Sequence, residues 1–159
     1  MKRTSFSEMP CSVARTLDHV GHWWSFMIVR NAFYGQTRFR EFQESLGIAK
    51  NILSARLKDL TEAGIMKKIP DRNGSKYSEY ILTEKGWDLQ PVLVALMQWG
   101  DKWEPHESGP PLELLDKRSG ISIPYQGIRN TEGDVIPREE LTSRFSPAAK
   151  EMLMKKAAE

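Results

Sequence analysis

The chain of 159 residues has one cysteine, Cys11, and three histidines. A single thiol excludes an intrachain disulfide, and it makes a poor donor set for a four-ligand zinc site. No apolar run is long and uninterrupted enough to span a bilayer. The opening MKRTSFSEMP lacks the apolar core of a secretion signal. The expected compartment is therefore the cytoplasm, with no membrane partner. There is no nucleophile elbow and no glycine-rich phosphate loop, so nothing marks the chain as an enzyme. His19 and His22 stand three apart, but Gly21 lies between them at an expected helix end, a poor frame for paired metal ligands. No cofactor is expected. Internal repeats and low-complexity tracts are absent.

What the chain does have is ample apolar material and uneven charge. Forty per cent apolar residues, with five tryptophans, suffice for a folded core. The length suits one domain, or one domain with an appendage. The formal net charge is only +2, but between Gln36 and Lys76 nine Lys and Arg face five acids. That block alone carries +4 and the rest of the chain −2. A locally basic block suits a polyanion; a solvated lysine face is the alternative when charge is the only clue.

Residues 1–9 read as a loose arm. Val13, Leu17 and Val20 then space a short helix from Cys11, ended by Gly21. Trp23 to Phe33 is apolar almost all round, which predicts a buried central helix. Thr37 is placed to cap the next helix, striped by Phe39, Phe42 and Leu46, and Gly47 provides a turn. The following helix, Ala49 to Ala63, puts Leu53, Leu57 and Leu60 on one side. Asn51, Ala55 and Lys58 fall nearly opposite, with Ser54 adjacent. Gly64 is a C′ residue. Ile65 to Ile69 and Tyr77 to Leu82 read as strands around the turn Pro70-Asp71-Arg72-Asn73-Gly74. Helix, short turn, helix and basic hairpin form a winged helix-turn-helix.

Thr83 caps a long helix to Trp103, with Pro91 expected to kink or break it near Trp87. Its stripe includes Leu89, Leu96 and Trp103; a second subunit is the economical partner for it, folding back on the first helix is the alternative, and the two are compatible. The segment EPHESGPP is a linker by composition. Leu112 to Leu115 and Ile121 to Ile128 read as short strands, and Ala148 to Lys156 as a terminal helix started by Ser146 and Pro147. This tail adds little core and should pack on the main domain or on a partner.

Three stretches carry a family likeness: CSVARTLDHVGHWW, RFREFQESLGIAKNILSARLKDLTEAGI and YILTEKGWDLQPVLVALMQWGDKW. In this order they resemble the HxlR-type winged helix-turn-helix transcriptional regulators, relatives of the MarR group in bacteria and archaea. The likeness covers about Cys11 to Pro105. It implies a homodimer on a roughly two-fold symmetric operator, with Ala49 to Ala63 as recognition helix and Asp71 to Ser75 as wing. Cys11 matches a cysteine that some members use as a redox or electrophile sensor. The proline that usually follows that cysteine is absent, and Pro10 precedes it instead. Longer members carry a short hairpin tail that often bears paired cysteines. Here Ser119, Arg129 and Glu132 occupy the comparable stretches, so no zinc is expected.

The resulting expectation is an α+β, mainly α chain. Residues 11–107 form a winged helix-turn-helix domain with a long C-terminal dimerisation helix, and 108–159 a small hairpin-and-helix extension. The expected function is a homodimeric repressor or activator that binds double-stranded DNA; a winged-helix protein-interaction module without duplex binding is the alternative. Asn51 and Ser54 are candidates for base edges, with the small Ala55 allowing close approach. Lys50, Lys58, Arg38, Arg40, Arg72 and Lys76 are candidates for phosphate. Val13, Leu17, Leu89, Leu96 and Trp103 are candidates for the dimer interface. Cys11, the candidate redox sensor, lies where a helix dipole is positive, and Arg15 follows four residues on. A small-molecule or oxidant effector completes the partners.

Overall fold

The computed structural model describes residues 5–6, 8–72, 74 and 76–157. The wing-tip residues Asn73 and Ser75, and most of the expected arm (residues 1–4 and 7), lie outside the described residues. The described chain is mainly helical, with one two-stranded antiparallel sheet. Its elements are α1 (Ser12–Val20), α2 (Trp23–Phe33), α3 (Phe39–Leu46), α4 (Lys50–Glu62), β1 (Met66–Pro70), β2 (Ser78–Leu82), α5 (Glu84–Trp87), α6 (Gln90–Trp103) and α7 (Pro147–Ala157). A 3-10 turn covers Arg138–Glu140. The chain divides into two compact units, one ending at Leu93 and one beginning at Val94.

The first unit is a winged helix-turn-helix around a single apolar cluster. Ile28 and Val29 of α2, Phe42 of α3, Leu53, Leu57 and Leu60 of α4, and Met66 of β1 are all buried in it. The expected all-round burial of α2 is not found. Trp23 is 73% exposed, edge-on to Trp24 at 6.1 Å. It lies across the helix from Ala32, which faces the cluster, so one helix cannot bury both sides here. A polar knot ties α2 to α3. Buried Asn31 takes both Nε and Nη2 of Arg30 on its side-chain oxygen. Its amide donates to Gln36 (3.0 Å) and to the Ser45 hydroxyl (2.8 Å).

Thr37 does not cap α3. Arg38 is the N-cap residue, and the Glu41 carboxylate turns back to accept the N–H groups of Thr37 (2.8 Å) and Arg38 (2.9 Å). The Thr37 carbonyl is taken instead by the Tyr80 N–H of the wing (2.7 Å). Competition between local capping and a long-range backbone bond is invisible to a local pattern. Gly47 enters α4 with φ 61°, the left-handed region that favours glycine. Gly64, at φ 69°, ends it. The Ile65 N–H reaches the Leu60 carbonyl (2.9 Å) and that of Gly64 reaches Thr61 (3.0 Å), a Schellman ending over two buried side chains.

The expected helix from Glu84 to Trp103 is two helices, with Asp88 and Leu89 between them. Pro91 falls in the first turn of α6, where its missing N–H has no partner to lose. Leu89 packs on the first unit's cluster. The two tail segments expected as strands form no strand among the described residues. Leu115 pairs with Ser122, and Arg129 with Val135, through single antiparallel bridges. Pro124 has no N–H with which to extend a ladder. No helix of the described residues is long and apolar enough to cross a membrane.

Candidate nucleic-acid interface

The turn at Gly47 sets α4 with one side in the core and the other uncovered. Leu53, Leu57 and Leu60 are buried, while Asn51, Ser54 and Lys58 are exposed and Ala55 is half-buried between them. Lys50 is exposed in the first helical turn. Ile52, 39% exposed, adds an apolar group that the sequence reading did not single out. Lys58 approaches Glu62 only at 3.7 Å, with both side chains largely in solvent, so little holds it in place. Arg56 is different. It is half-buried and held by Asp59 at 3.0 Å.

The wing is fastened beside this helix. β1 and β2 pair from Met66↔Leu82 to Pro70↔Ser78, and Arg38 adds a single antiparallel bridge to Glu79. Two acids at the wing base are buried, each holding an arginine. Asp71 takes Arg38 Nη2 at 2.9 Å, with the Arg38 side chain 41% exposed and that of Asp71 1%. Glu79 takes Arg72 Nε and Nη2, both at 2.8 Å, and also accepts the Arg72 N–H. The cations at 38 and 72 are thus matched by carboxylates of the same chain. They do not stand out alone, as their place in the sequence suggested.

Between α3, the start of α4 and the wing runs an open groove of roughly 710 Å³. Arg38, Arg40, Lys50, Lys68 and Lys76 line it, with Gln43 and the rings of Tyr77 and Tyr80. The structure therefore brings four of the six predicted phosphate cations to one surface. Arg72 is not among the lining residues, and Lys58 lies farther along α4. The Arg40 guanidinium is held above its ordinary pKa by the hydrogen bond from its Nε to Glu44 (2.6 Å) and by that carboxylate's charge. Lys68, Gln43 and Tyr77 were missed. Lys68 stood in the basic strand, but the register Lys68↔Tyr80 is what turns it to this groove, with its ammonium 5.9 Å from the Tyr80 ring.

Of the predicted interface residues, Val13 (67%), Leu17 (40%), Leu96 (51%) and Trp103 (60%) are exposed. Leu89 is half-buried on its own cluster. Val92 and Trp99, rather than Leu89, continue the exposed stripe of α6 with Leu96 and Trp103. Cys11 is exposed as the N-cap of α1, with no side-chain capping bond. Arg15 does not serve it: its guanidinium donates to the Met9 carbonyl (2.9 Å) and the Ser12 hydroxyl (3.2 Å).

Comparison with known proteins agrees with the winged helix-turn-helix fold. The HxlR-like helix-turn-helix family matches residues 19–108. An uncharacterized HTH-type transcriptional regulator of Mycobacterium tuberculosis is 37% identical over 142 residues, covering 89% of this chain and 90% of the relative. The crystal structure of PA1607, a candidate transcription factor, shares 44% identity with a TM-score of 0.81, over 91% of this chain and 99% of that one. The redox regulator HypR in its reduced form shares 29% identity with a TM-score of 0.53, over 58% of this chain and 92% of its own.

Proposed function

Since the chain belongs to the HxlR-like helix-turn-helix family of transcriptional regulators, we propose that it acts as a homodimer on a two-fold symmetric duplex operator. In this reading α4 of each protomer enters a major groove, about one helical turn (roughly 34–36 Å) from its mate. The observation that carries it is the uncovered Asn51–Ser54–Lys58 face of α4 beside a cation-lined groove. Asn51 and Ser54 meet base edges, and the half-buried Ala55 leaves room for them. Lys50, Lys58, Arg40 and Lys76 meet phosphates, joined by Lys68. Arg38 and Arg72 can offer phosphate only the guanidinium edges not already holding Asp71 and Glu79. Val13, Leu17, Leu96 and Trp103 belong to the subunit interface, with Leu89 behind them in its own protomer. Residues 11–107 are the DNA-binding domain and 108–159 its extension.

The test is duplex binding across a salt series. Lys58→Ala should weaken binding to all sequences alike and reduce the slope of log affinity against log salt by about 0.9. Asn51→Ala should relax preference at one base position, with a cost of about 1–3 kcal/mol. Failure of both substitutions to alter binding would refute the orientation of α4. A chain inert to duplex at low salt would leave a protein-interaction module.

Cys11 fits an electrophile- or oxidant-responsive role in the same regulator. Its exposure makes it accessible, and the chain's similarity to HypR, a redox regulator, supports the reading. Complete alkylation of Cys11 should lower operator affinity several-fold in the wild type and change nothing in Cys11→Ser. An alkylated wild type with full affinity would reduce Cys11 to a helix-start residue.

A further inference from the structure

The uncovered side of α4 is not uniform. Asn51 is exposed in the first turn, and its side-chain amide makes no hydrogen bond among the described residues. At about 100° per residue, Ala55 lies about 40° and Ile52 about 100° to one side of it. Ser54 and Lys58 lie to the other side, as does Lys50, which lines the cation groove. One flank of Asn51 is therefore polar and basic, and the other begins with alkyl groups. Ile52 keeps 39% of its surface exposed in that second flank, with half-buried Ala55 one turn on. A single exposed isoleucine needs no explanation by itself. Here it adjoins an amide that has no partner in the protein, in the turn of a recognition helix whose residues reach base edges.

The charged groups that would select a G·C pair are engaged elsewhere. Guanine is taken most often by the fork of an arginine, and cytosine by a carboxylate. Arg56, the one arginine of α4, is bound to Asp59 at 3.0 Å. Only 21% of its side chain is exposed, and its Nε is sealed from solvent. The two charges that would read a G·C pair thus hold each other. Lys58 stands two turns beyond Asn51, about 10 Å along the axis, and Glu62 one turn farther. What the first turns of α4 offer beside the basic flank is one amide and two alkyl groups. An asparagine amide matches adenine, which presents N7 to its N–H and the N6 amino group to its oxygen. Thymine alone of the four bases brings a methyl group into the major groove.

On the premise that α4 enters a major groove, we propose that Ile52 determines specificity by meeting the 5-methyl group of a thymine beside the adenine taken by Asn51. The segment of operator under the first turns of α4 is then made of adjacent A·T pairs. Ala55, small and half-buried, lets the helix come close enough for both contacts. Ile52 supplies no hydrogen bond, so its selectivity comes from removing one methyl group and its own side chain from water together. The Arg56–Asp59 pair contributes by exclusion: while it holds, neither member is presented to guanine or cytosine.

The experiment uses the full chain and a duplex selected from a random pool. Each thymine of the half-site is replaced in turn by deoxyuridine, which removes the methyl group and keeps the base pair. One replacement should lower wild-type affinity about fourfold, the scale for returning one methyl group to water. Ile52→Ala should bind the thymine and deoxyuridine duplexes equally at that position, and Ile52→Val should keep part of the difference. Selection with Asn51→Ala should relax an adjacent A·T pair. A wild type that binds its selected duplex but is indifferent to every replacement would overturn the methyl contact. So would an Ile52→Ala chain that still loses affinity on the same replacement. Half-sites with G·C at the positions that Asn51→Ala and Ile52→Ala relax would overturn the A·T selection, the more so if Arg56→Ala lost that preference. A wild type that binds no duplex at low salt would overturn the DNA-binding role itself, and this contact with it.

Discussion

Phe42→Ala should lower the unfolding free energy by about 3–5 kcal/mol, the range for losing a fully buried aromatic side chain. Phe42 has no exposure and belongs to the cluster that joins α2, α3 and α4 to the wing. Alanine would remove the ring and leave a cavity that these helices close only in part. A domain of this size is stable by only about 5–15 kcal/mol, so the loss is a large fraction of the total. Urea titration of the full-length protein checks this, with the transition midpoint falling while its slope is kept. Ile52→Ala is the control. Its side chain is 39% exposed on the outer side of α4, so its loss should be much smaller. A cost for Phe42→Ala no larger than that of Ile52→Ala would mean the core is not packed as described.

Arg38→Ala should destabilise the wing more than a surface cation would, by about 2–3 kcal/mol, because it removes the guanidinium that neutralises the buried carboxylate of Asp71 at 2.9 Å. The figure lies below the roughly 3–5 kcal/mol of a fully buried pair, since the Arg38 side chain is 41% exposed and partly screened by solvent. The sign is tested with the double variant. Arg38→Ala with Asp71→Asn removes the buried charge as well as the arginine and should recover most of the loss. The same pair separates two roles on DNA. If Arg38 chiefly holds the wing, the double variant should regain affinity along with stability, and its salt slope should stay that of the wild type. If Arg38 neutralises a phosphate, the slope should fall by about 0.9 in both variants and affinity should not return. An Arg38→Ala chain as stable as the wild type would mean the buried pair contributes nothing to the wing.

Much of the helix-turn-helix is legible in the residues because its signals are local. Leu53, Leu57 and Leu60 recur at helical spacing and are buried, and the same arithmetic puts Asn51, Ser54 and Lys58 on the open side. Gly47 and Gly64 mark turns because both positions need positive φ. The helix break before Pro91 follows from a missing N–H. Family likeness in the quoted blocks agrees with the match over 19–108.

Other features depend on which chain segments meet. Nothing near Arg38 in the sequence announces Asp71, thirty-three residues on, and nothing near Arg72 states that Glu79 will turn inward. Charge counted along the chain treats all nine cations alike, and only the fold shows that Arg38 and Arg72 are held by buried acids while Lys50, Lys68 and Lys76 face the groove. The burial of Trp23 was misjudged for a related reason: composition reports how apolar a helix is, but its neighbours decide how many of its sides are covered.

The sequence by itself determined the order of helices and strands through the wing, the inward leucines of α4 and the family. Those follow from periodicity, turn chemistry and residue identity within short windows. Tertiary structure alone decided the pairing of Arg38 and Arg72 with buried acids and the turning of Lys68 into the groove. Arg38 and Asp71 stand thirty-three residues apart, and both acids hold their arginines through burial that exists only once the segments have been brought together.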